Sequence, residues 1–307
     1  MSADAIHYLL PEGLVHANEP MSRHTSFKIG GPAEVYVTPE NTKQIALVWQ
    51  ACLEANCPIT ILGDGCNVLV ADEGIKGVVI ATSRMNHIEV DIPYITAGSG
   101  TQLARLAEAA CKAGLAGLEF ASGIPGTVGG AVYMNAGAYN HDIEEICESV
   151  EALYPNGTVQ TYQRGQLGFA YRISRFQKEN AIITSARFKL TPGNPEDIRA
   201  KMADLNSRRR NSQPLDYPSA GSAFKRPDIE GVYAAKLIDD NGLKGFTIGG
   251  AQVSEKHAGF IINKGNATAA DVQELIKAIS EKIHSASGIW LEPEIQMIGF
   301  PGGHICT

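Results

Sequence analysis

The sequence predicts a mixed protein of α/β and α+β class with two or three domains, and three observations carry that prediction. Residues 34 to 62 read as strand, helix and strand. Helical stripes with a period of about 3.6 residues recur along the rest of the chain. The stretch Thr191-Pro192-Gly193-Asn194-Pro195 breaks a series of strands and starts a new helix. At 307 residues the chain also exceeds the roughly 100 to 200 residues of one ordinary domain.

Glu34-Val35-Tyr36-Val37-Thr38 is rich in β-branched and aromatic types, and Pro39 stops it. Asn41 or Thr42 caps a helix whose apolar residues Ile45, Val48, Trp49 and Cys52 form one stripe, and Ile59-Thr60-Ile61-Leu62 is the next strand. A second helix is expected over residues 101 to 113, with Leu103, Leu106, Ala107 and Ala110 on one face. From 116 to 139 the sequence is Gly-rich and periodicity fades. Strands return near 150 to 153 and 181 to 186. After the break, one helix carries Ile198, Met202 and Leu205, and another, opened by a Thr268/Asp271 capping box, carries Val272, Leu275, Ile276, Ile279 and Ile283. A domain boundary is placed near 193.

Composition narrows the function. With 44% hydrophobic and 19% charged residues, and 32 Gly against 15 Pro, the chain is globular and rich in tight turns. A formal charge of −7 argues against binding a nucleic acid polymer, which needs a basic footprint. The start Met1-Ser2-Ala3-Asp4-Ala5-Ile6-His7 has no basic region followed by an apolar one, and no apolar run approaches about 18 residues. A soluble, cytoplasmic protein without membrane contact is expected. Cys52, Cys57, Cys66, Cys111, Cys147 and Cys306 contain no Cys-x-x-Cys pair, so reduced, structural thiols are expected rather than a zinc ribbon or a disulfide framework.

Five stretches carry candidate chemistry. Leu62-Gly63-Asp64-Gly65-Cys66-Asn67 follows a predicted strand, and its glycines let a backbone approach a diphosphate. It lacks the third glycine and long helix of the dinucleotide fingerprint, and alone it reads as a tight turn. Ser122-Gly123-Ile124-Pro125-Gly126-Thr127-Val128-Gly129-Gly130, with Asn135-Ala136-Gly137 beyond, spends too much glycine entropy for a simple connector and reads as a ligand cradle. Tyr171-Arg172 can clamp a carboxylate or phosphate while the ring packs on a flat group, although Arg172 alone is a surface salt-bridge residue. Ser222 lies among small residues without a nucleophile elbow, and alone it is a turn residue. Glu292 and Glu294 flank Pro293 and read as solvated carboxylates on an edge strand. Arg208-Arg209-Arg210 suits a helix C-terminus, and a diphosphate would also welcome it. His257 is the most suggestive histidine, yet it has no partners at metal-ligand spacing, so no metal is expected.

The order of these stretches, opened by Thr25-Ser26-Phe27-Lys28-Ile29-Gly30-Gly31 and closed by Leu291-Glu292-Pro293-Glu294, resembles the UDP-N-acetylenolpyruvoylglucosamine reductase family over nearly the whole chain. The resemblance implies a two-subdomain FAD module of the vanillyl-alcohol-oxidase type over residues 1–85 and 86–192, with a substrate-binding α+β domain over 193–307. It implies an NADPH-dependent flavoenzyme with non-covalent FAD, acting on a UDP-sugar in peptidoglycan precursor synthesis and expected as a monomer. By motif matching, Arg172 and Glu294 stabilise an enolate-like carboxylate and Ser222 donates a proton. FAD would contact Gly63, Asp64, Gly65, Cys66, Asn67, Ser122, Gly123, Ile124, Pro125, Gly126, Thr127, Gly129 and Gly130. Tyr171, Lys225 and Arg226 would contact the substrate. The family often has Asn where His24 stands and Ser where Cys66 stands. The chain lacks the extra tyrosine-bearing loop of the longer branch, which implies the compact one. Two rival readings are a flavin oxidase or dehydrogenase of a small hydroxy acid, and a non-catalytic flavin or nucleotide-sugar sensor. Neither gives Ser222 and Glu294 a role.

Overall fold

A computed structural model describes residues 6, 8–11 and 13–300; Cys306, Met1–Ala5 and His7 lie outside them. The first sheet runs in the order Val15–Pro20, Pro32–Val37, Ile75–Ala81, Ile59–Leu62. Its first pair is antiparallel and the others are parallel. Helix Thr42–Glu54 makes the crossover, with Asn41 Oδ1 accepting the Gln44 N–H at 3.0 Å. Ile45, Val48, Trp49 and Cys52 are buried against Val35, Val37, Val78 and Ile80. The expected strand, helix and strand are present, but the two strands are not neighbours, because Ile75–Ala81 lies between them. Its residues Gly77 to Ala81 are all buried, as a central parallel strand covered on both faces requires.

The second sheet is wholly antiparallel: Val159–Gln163, Cys147–Leu153, Ile182–Lys189, Tyr94–Gly98, Ile88–Asp91. Helix Leu103–Lys112 packs the predicted stripe Leu103, Leu106, Ala107 and Ala110 into the core beneath it. The Gly-rich segment holds a helix that periodicity does not reveal, Val128–Tyr133. Six residues make less than two turns, too few for a stripe to repeat.

Helix Pro195–Ser212 leads into the third region, with Asn194 Oδ1 accepting the Glu196 N–H at 2.8 Å. A third sheet follows, in the order Ser219–Ser222, Phe260–Asn263, Ala251–Val253, Thr247–Ile248. Helix Ala269–Ser287 covers it with the five apolar residues predicted from its stripe, and the Thr268/Asp271 capping box forms reciprocally.

The third region is fastened back onto the first. Gln296–Ile298 pairs in parallel with Val68–Val70. The Asp72 carboxylate accepts the N–H groups of Ala269 at 2.9 Å and Ala270 at 3.1 Å, so one region helps cap the other's helix. Ser26 Oγ donates to the Ser219 carbonyl at 2.7 Å. Among the described residues no helix is long and apolar enough to cross a membrane.

Candidate active site

The two glycine loops, one following the first sheet's strand Ile59–Leu62 and the other leading into helix Val128–Tyr133, meet each other. A Cβ on Gly63 would lie 2.5 Å from Thr127 Oγ1, and Gln102 Nε2 donates to Asp64 Oδ2 at 3.4 Å. Gly65 has φ +63°, and a Cβ there would meet the His24 carbonyl oxygen at 2.1 Å, so only glycine fits. Backbone bonds pin the second loop: Val128 N–H to the Thr101 carbonyl and Gly129 N–H to that of Ser99, each at 2.8 Å. Ser122 is buried and donates to the Glu119 carbonyl at 2.8 Å. Ile124 packs on the core, while Pro125 and Gly130 are exposed. Gly126, at φ +126°, has nothing within 4 Å of where its Cβ would stand. Close approach without side chains, beside open space, fits the diphosphate of a dinucleotide such as FAD.

Burial raises the pKa of the Asp64 carboxyl, with the Gln102 bond opposing. The Cys66 thiol is pushed up to about 11 by burial and by Asp64, against a bond from Ser26, so the thiol stays protonated at neutral pH. Asn67 faces the third region: its Nδ2 donates to the Glu294 carbonyl at 3.2 Å, and its own carbonyl accepts the Gln296 N–H at 2.9 Å.

Next to these loops, three segments distant in sequence converge. Residues 223–225 lie antiparallel to 292–294, through Glu294 N–H to the Ala223 carbonyl and Lys225 N–H to the Glu292 carbonyl, each at 2.9 Å. Tyr171-Arg172 reaches them from the second sheet. Arg172 Nε donates to Glu294 Oε1 at 2.7 Å, and the two side chains are only 20% and 12% exposed. The remaining guanidinium nitrogens approach the carbonyls of Asn135 at 3.5 Å and Gly137 at 3.4 Å. Arg172 is therefore a half-buried pair partner rather than a surface residue. Glu294 is likewise not a solvated edge carboxylate. Pro293 separates the two glutamates, and Glu292 alone stays in solvent, 70% exposed, with Lys225 Nζ at 2.5 Å.

Ser222 is exposed at the end of its strand, after Gly221 at φ +81° and next to the Ala223 carbonyl that holds Glu294. The Tyr171 hydroxyl accepts the Arg226 N–H at 3.2 Å, and the Arg226 guanidinium lies 5.9 Å from the Tyr171 ring and 5.8 Å from that of Tyr233. Thus Arg172, Ser222, Glu294, Tyr171, Lys225 and Arg226 share one locality.

Other residues have fates their types did not foretell. In the arginine run, Arg208 pairs with Asp204 at 2.8 Å, whereas Arg209 is tucked against the second glycine loop. A Cβ on Gly123 would meet Arg209 Cδ at 3.2 Å and Asn206 Oδ1 at 2.3 Å. Burial lowers the Arg209 pKa, with Tyr139 opposing. His257 accepts the Gly259 N–H at 3.1 Å, and burial lowers its pKa. Asn135, buried inside the Gly-rich stretch, links Asp142 and the Ala170 carbonyl. Gln177, one position past the Tyr171–Phe176 motif, bonds the Arg172 carbonyl. No sequence pattern marks it, since its two short bonds, to the Arg172 and Tyr133 carbonyls, go to main-chain atoms.

Residues 33–163 match the FAD binding domain family, and 213–298 match the C-terminal domain of UDP-N-acetylenolpyruvoylglucosamine reductase. A pollen protein of glucose dehydrogenase activity, Phl p 4, shares the fold over 62% of this chain and 44% of its own at 18% identity, with a TM-score of 0.50. Fold and site thus define an FAD-containing oxidoreductase. UDP-N-acetylenolpyruvoylglucosamine reductase of Caldanaerobacter subterraneus is 47% identical over 96% of this chain and 97% of its own, and that of Clostridium botulinum 48% identical over 92% of each. The crystal structure of the Thermus caldophilus reductase superposes with a TM-score of 0.78 at 36% identity, covering 91% of this chain and 97% of that one. The chain belongs to the UDP-N-acetylenolpyruvoylglucosamine reductase family, as its motif order implies.

Proposed function

We propose that this protein uses NADPH, through non-covalent FAD, to reduce UDP-N-acetylglucosamine enolpyruvate to UDP-N-acetylmuramate in the cytoplasmic synthesis of peptidoglycan precursors. The observation that carries this reading is the Arg172–Glu294 pair, 2.7 Å apart, formed beside Ser222 and next to the cofactor loops by residues 122 positions apart. The reading divides the chain at about residues 85 and 193, in keeping with one sheet of four or five strands in each part, and it takes the protein as a monomer.

Gly63 to Asn67 and Ser122 to Gly130 form the cradle for the cofactor. FAD held there and reduced by NADPH would supply a hydride to the methylene carbon of the enolpyruvyl group. Negative charge then develops on the adjacent carbon and its carboxylate. The Arg172 guanidinium meets that charge from a position already fixed by Glu294 and two carbonyls, a kind of preorganised contact worth roughly 2.7 to 4 kcal/mol in other enzymes. Ser222, exposed and without a nucleophile elbow, donates its hydroxyl proton to the adjacent carbon, completing addition of hydride and proton across the double bond. Glu294 holds Arg172 in place. Tyr171, Lys225 and Arg226 offer an aromatic face and two cations to the nucleotide portion.

The test is anaerobic. Purified protein with bound flavin is bleached by NADPH and then mixed with the enolpyruvyl sugar nucleotide. Full return of flavin absorbance with one lactyl product per flavin is expected. Return only on admitting oxygen favours an oxidase of a small hydroxy acid. Flavin that NADPH never bleaches points to a non-catalytic sensor, and a preparation unable to bind FAD ends every flavin reading.

A further inference from the structure

Arg172 stands in a backbone conformation that residues with side chains rarely adopt. Its φ is +58°, and positions of this kind carry strain unless their surroundings fix them. The cause is a tight corner. Ala170 N–H donates to the Ile173 carbonyl at 3.1 Å and Ile173 N–H returns to the Ala170 carbonyl at 3.0 Å, leaving Tyr171 and Arg172 as the two corner residues. Arg172 occupies the second, where positive φ ordinarily selects Gly or Asn. The direction of its side chain toward Glu294 is therefore only as secure as whatever holds that peptide.

Gln177 holds it. Its Nε2 donates to the Arg172 carbonyl at 2.9 Å and to the Tyr133 carbonyl at 2.8 Å. A primary amide has two N–H donors, and these two carbonyls are its near acceptors, with Met134 Sδ farther off at 3.7 Å. Tyr133 is the last residue of helix Val128–Tyr133, whose cap Thr127 belongs to the second glycine loop. The strained corner is thus fastened to the body that carries the cofactor cradle. Ser174 Oγ also donates to the Tyr133 carbonyl, and Asn135 Nδ2 to that of Ala170, but neither bond reaches the Arg172 carbonyl.

We infer that Gln177 is a positioning residue for the reduction of substrate, acting through Arg172 by donating to its carbonyl. The inference rests on the role given to Arg172 above. It requires the donors of the side chain and not its carbonyl, so substitutions can separate donation from shape. Gln177→Glu keeps the shape and removes both N–H donors. Gln177→Lys keeps donors and removes the acceptor.

All variants are compared for flavin per chain, rate of bleaching by NADPH, and rate of reoxidation at saturating enolpyruvyl sugar nucleotide. Gln177→Ala and Gln177→Glu are expected to bind flavin and to be bleached at the parent rate, with reoxidation slowed about 30-fold. Gln177→Lys is expected to stay within about 3-fold of the parent. In an Arg172→Ala background, Gln177→Ala should cost less than about 3-fold more, because both act on one interaction. Equal losses in the Glu and Lys variants, a loss shared by the NADPH step, or full additivity with Arg172→Ala would each overturn the inference. If Gln177→Ala does not accumulate, the Glu and Lys pair decides by the same criteria, and a Glu variant that reoxidises normally ends it. Should Arg172→Ala itself leave reoxidation unchanged, the reading of the active site fails and not merely this addition to it.

Discussion

The cofactor cradle and the reaction site lie side by side, but the chain builds them by opposite means. Around Gly63 and Gly65 the backbone comes close to its surroundings because side chains are missing, and a single added methyl group would overlap Thr127 or His24, while Gly126 borders open space. Around Arg172 the structure depends on side chains that are present and paired, with Arg172 on Glu294 and Lys225 on Glu292, joined across regions far apart in sequence. The cradle should therefore fail when atoms are added and the reaction site when they are removed. The two failures should also strike different steps: loss of flavin in the first case, and loss of substrate reduction by a flavin still bound in the second.

The largest expected effect tests the second half of that contrast. Ser222→Ala should bind FAD and be bleached by NADPH at the parent rate, yet be reoxidised by the enolpyruvyl sugar nucleotide about 10² to 10⁴ times more slowly, the usual worth of a positioned proton donor. Stopped-flow flavin absorbance measures both steps, and normal reoxidation would remove Ser222 from the mechanism. Next in size, Arg172→Ala should slow reoxidation about 10² to 10³-fold. Arg172→Lys should recover only part, since an ammonium lacks the planar fork that serves Glu294 and two carbonyls together. Complete recovery by Lys would mean that charge alone matters there.

The same contrast explains what could be read from sequence. The helix Thr42–Glu54, its Asn41 cap and the Thr268/Asp271 capping box were legible because each depends on residues within a few positions of one another. The six-residue helix Val128–Tyr133 was not, because it ends before a stripe can repeat. Nor was the insertion of Ile75–Ala81 between its two parallel neighbours, because strand order is a long-range choice. At the site, the motifs marked Arg172, Ser222 and Glu294 as residues, but their types alone gave bland surface roles. The burial of Arg172 and Glu294 emerges only when positions 122 apart meet. Gln177 and Asn67 were harder still, since their side chains bond the main-chain carbonyls of Arg172 and Glu294, which every residue possesses.

Adding an atom to the cradle is the reciprocal experiment and should have a smaller effect. Gly63 does not require positive φ, so Gly63→Ala strains only the contact in which the new Cβ would stand 2.5 Å from Thr127 Oγ1. Relief of overpacking ordinarily involves about 1 to 3 kcal/mol, so FAD affinity, followed by flavin fluorescence, should fall roughly 10- to 100-fold. Substrate reduction by the flavin that remains bound should be near normal. Unchanged FAD affinity in Gly63→Ala would mean that the Thr127 side chain yields to the added methyl group and that the close approach there is not needed by the cradle.

The smallest expected effect lies outside both regions and marks their boundary. Asp271 accepts the N–H groups of Thr268 at 3.0 Å and Gly250 at 3.1 Å, and these bonds, Thr268 first, hold its pKa below the ordinary 3.8 against a minor desolvation cost. A carboxylate with a lowered folded pKa stabilises the fold above its unfolded value, and that stability is lost as pH falls through the folded one. Wild type should therefore exceed Asp271→Ala by about 0.5 to 2 kcal/mol at pH 7, the ordinary range for a helix cap. The gap in thermal midpoint should narrow once the pH drops below about 4. A gap that stays constant to pH 3 would show that the side chain acts by shape and not by charge. At pH 7 the variant should be bleached by NADPH and reoxidised by substrate at parent rates, because the cap steadies the third region without touching the Arg172–Glu294 pair.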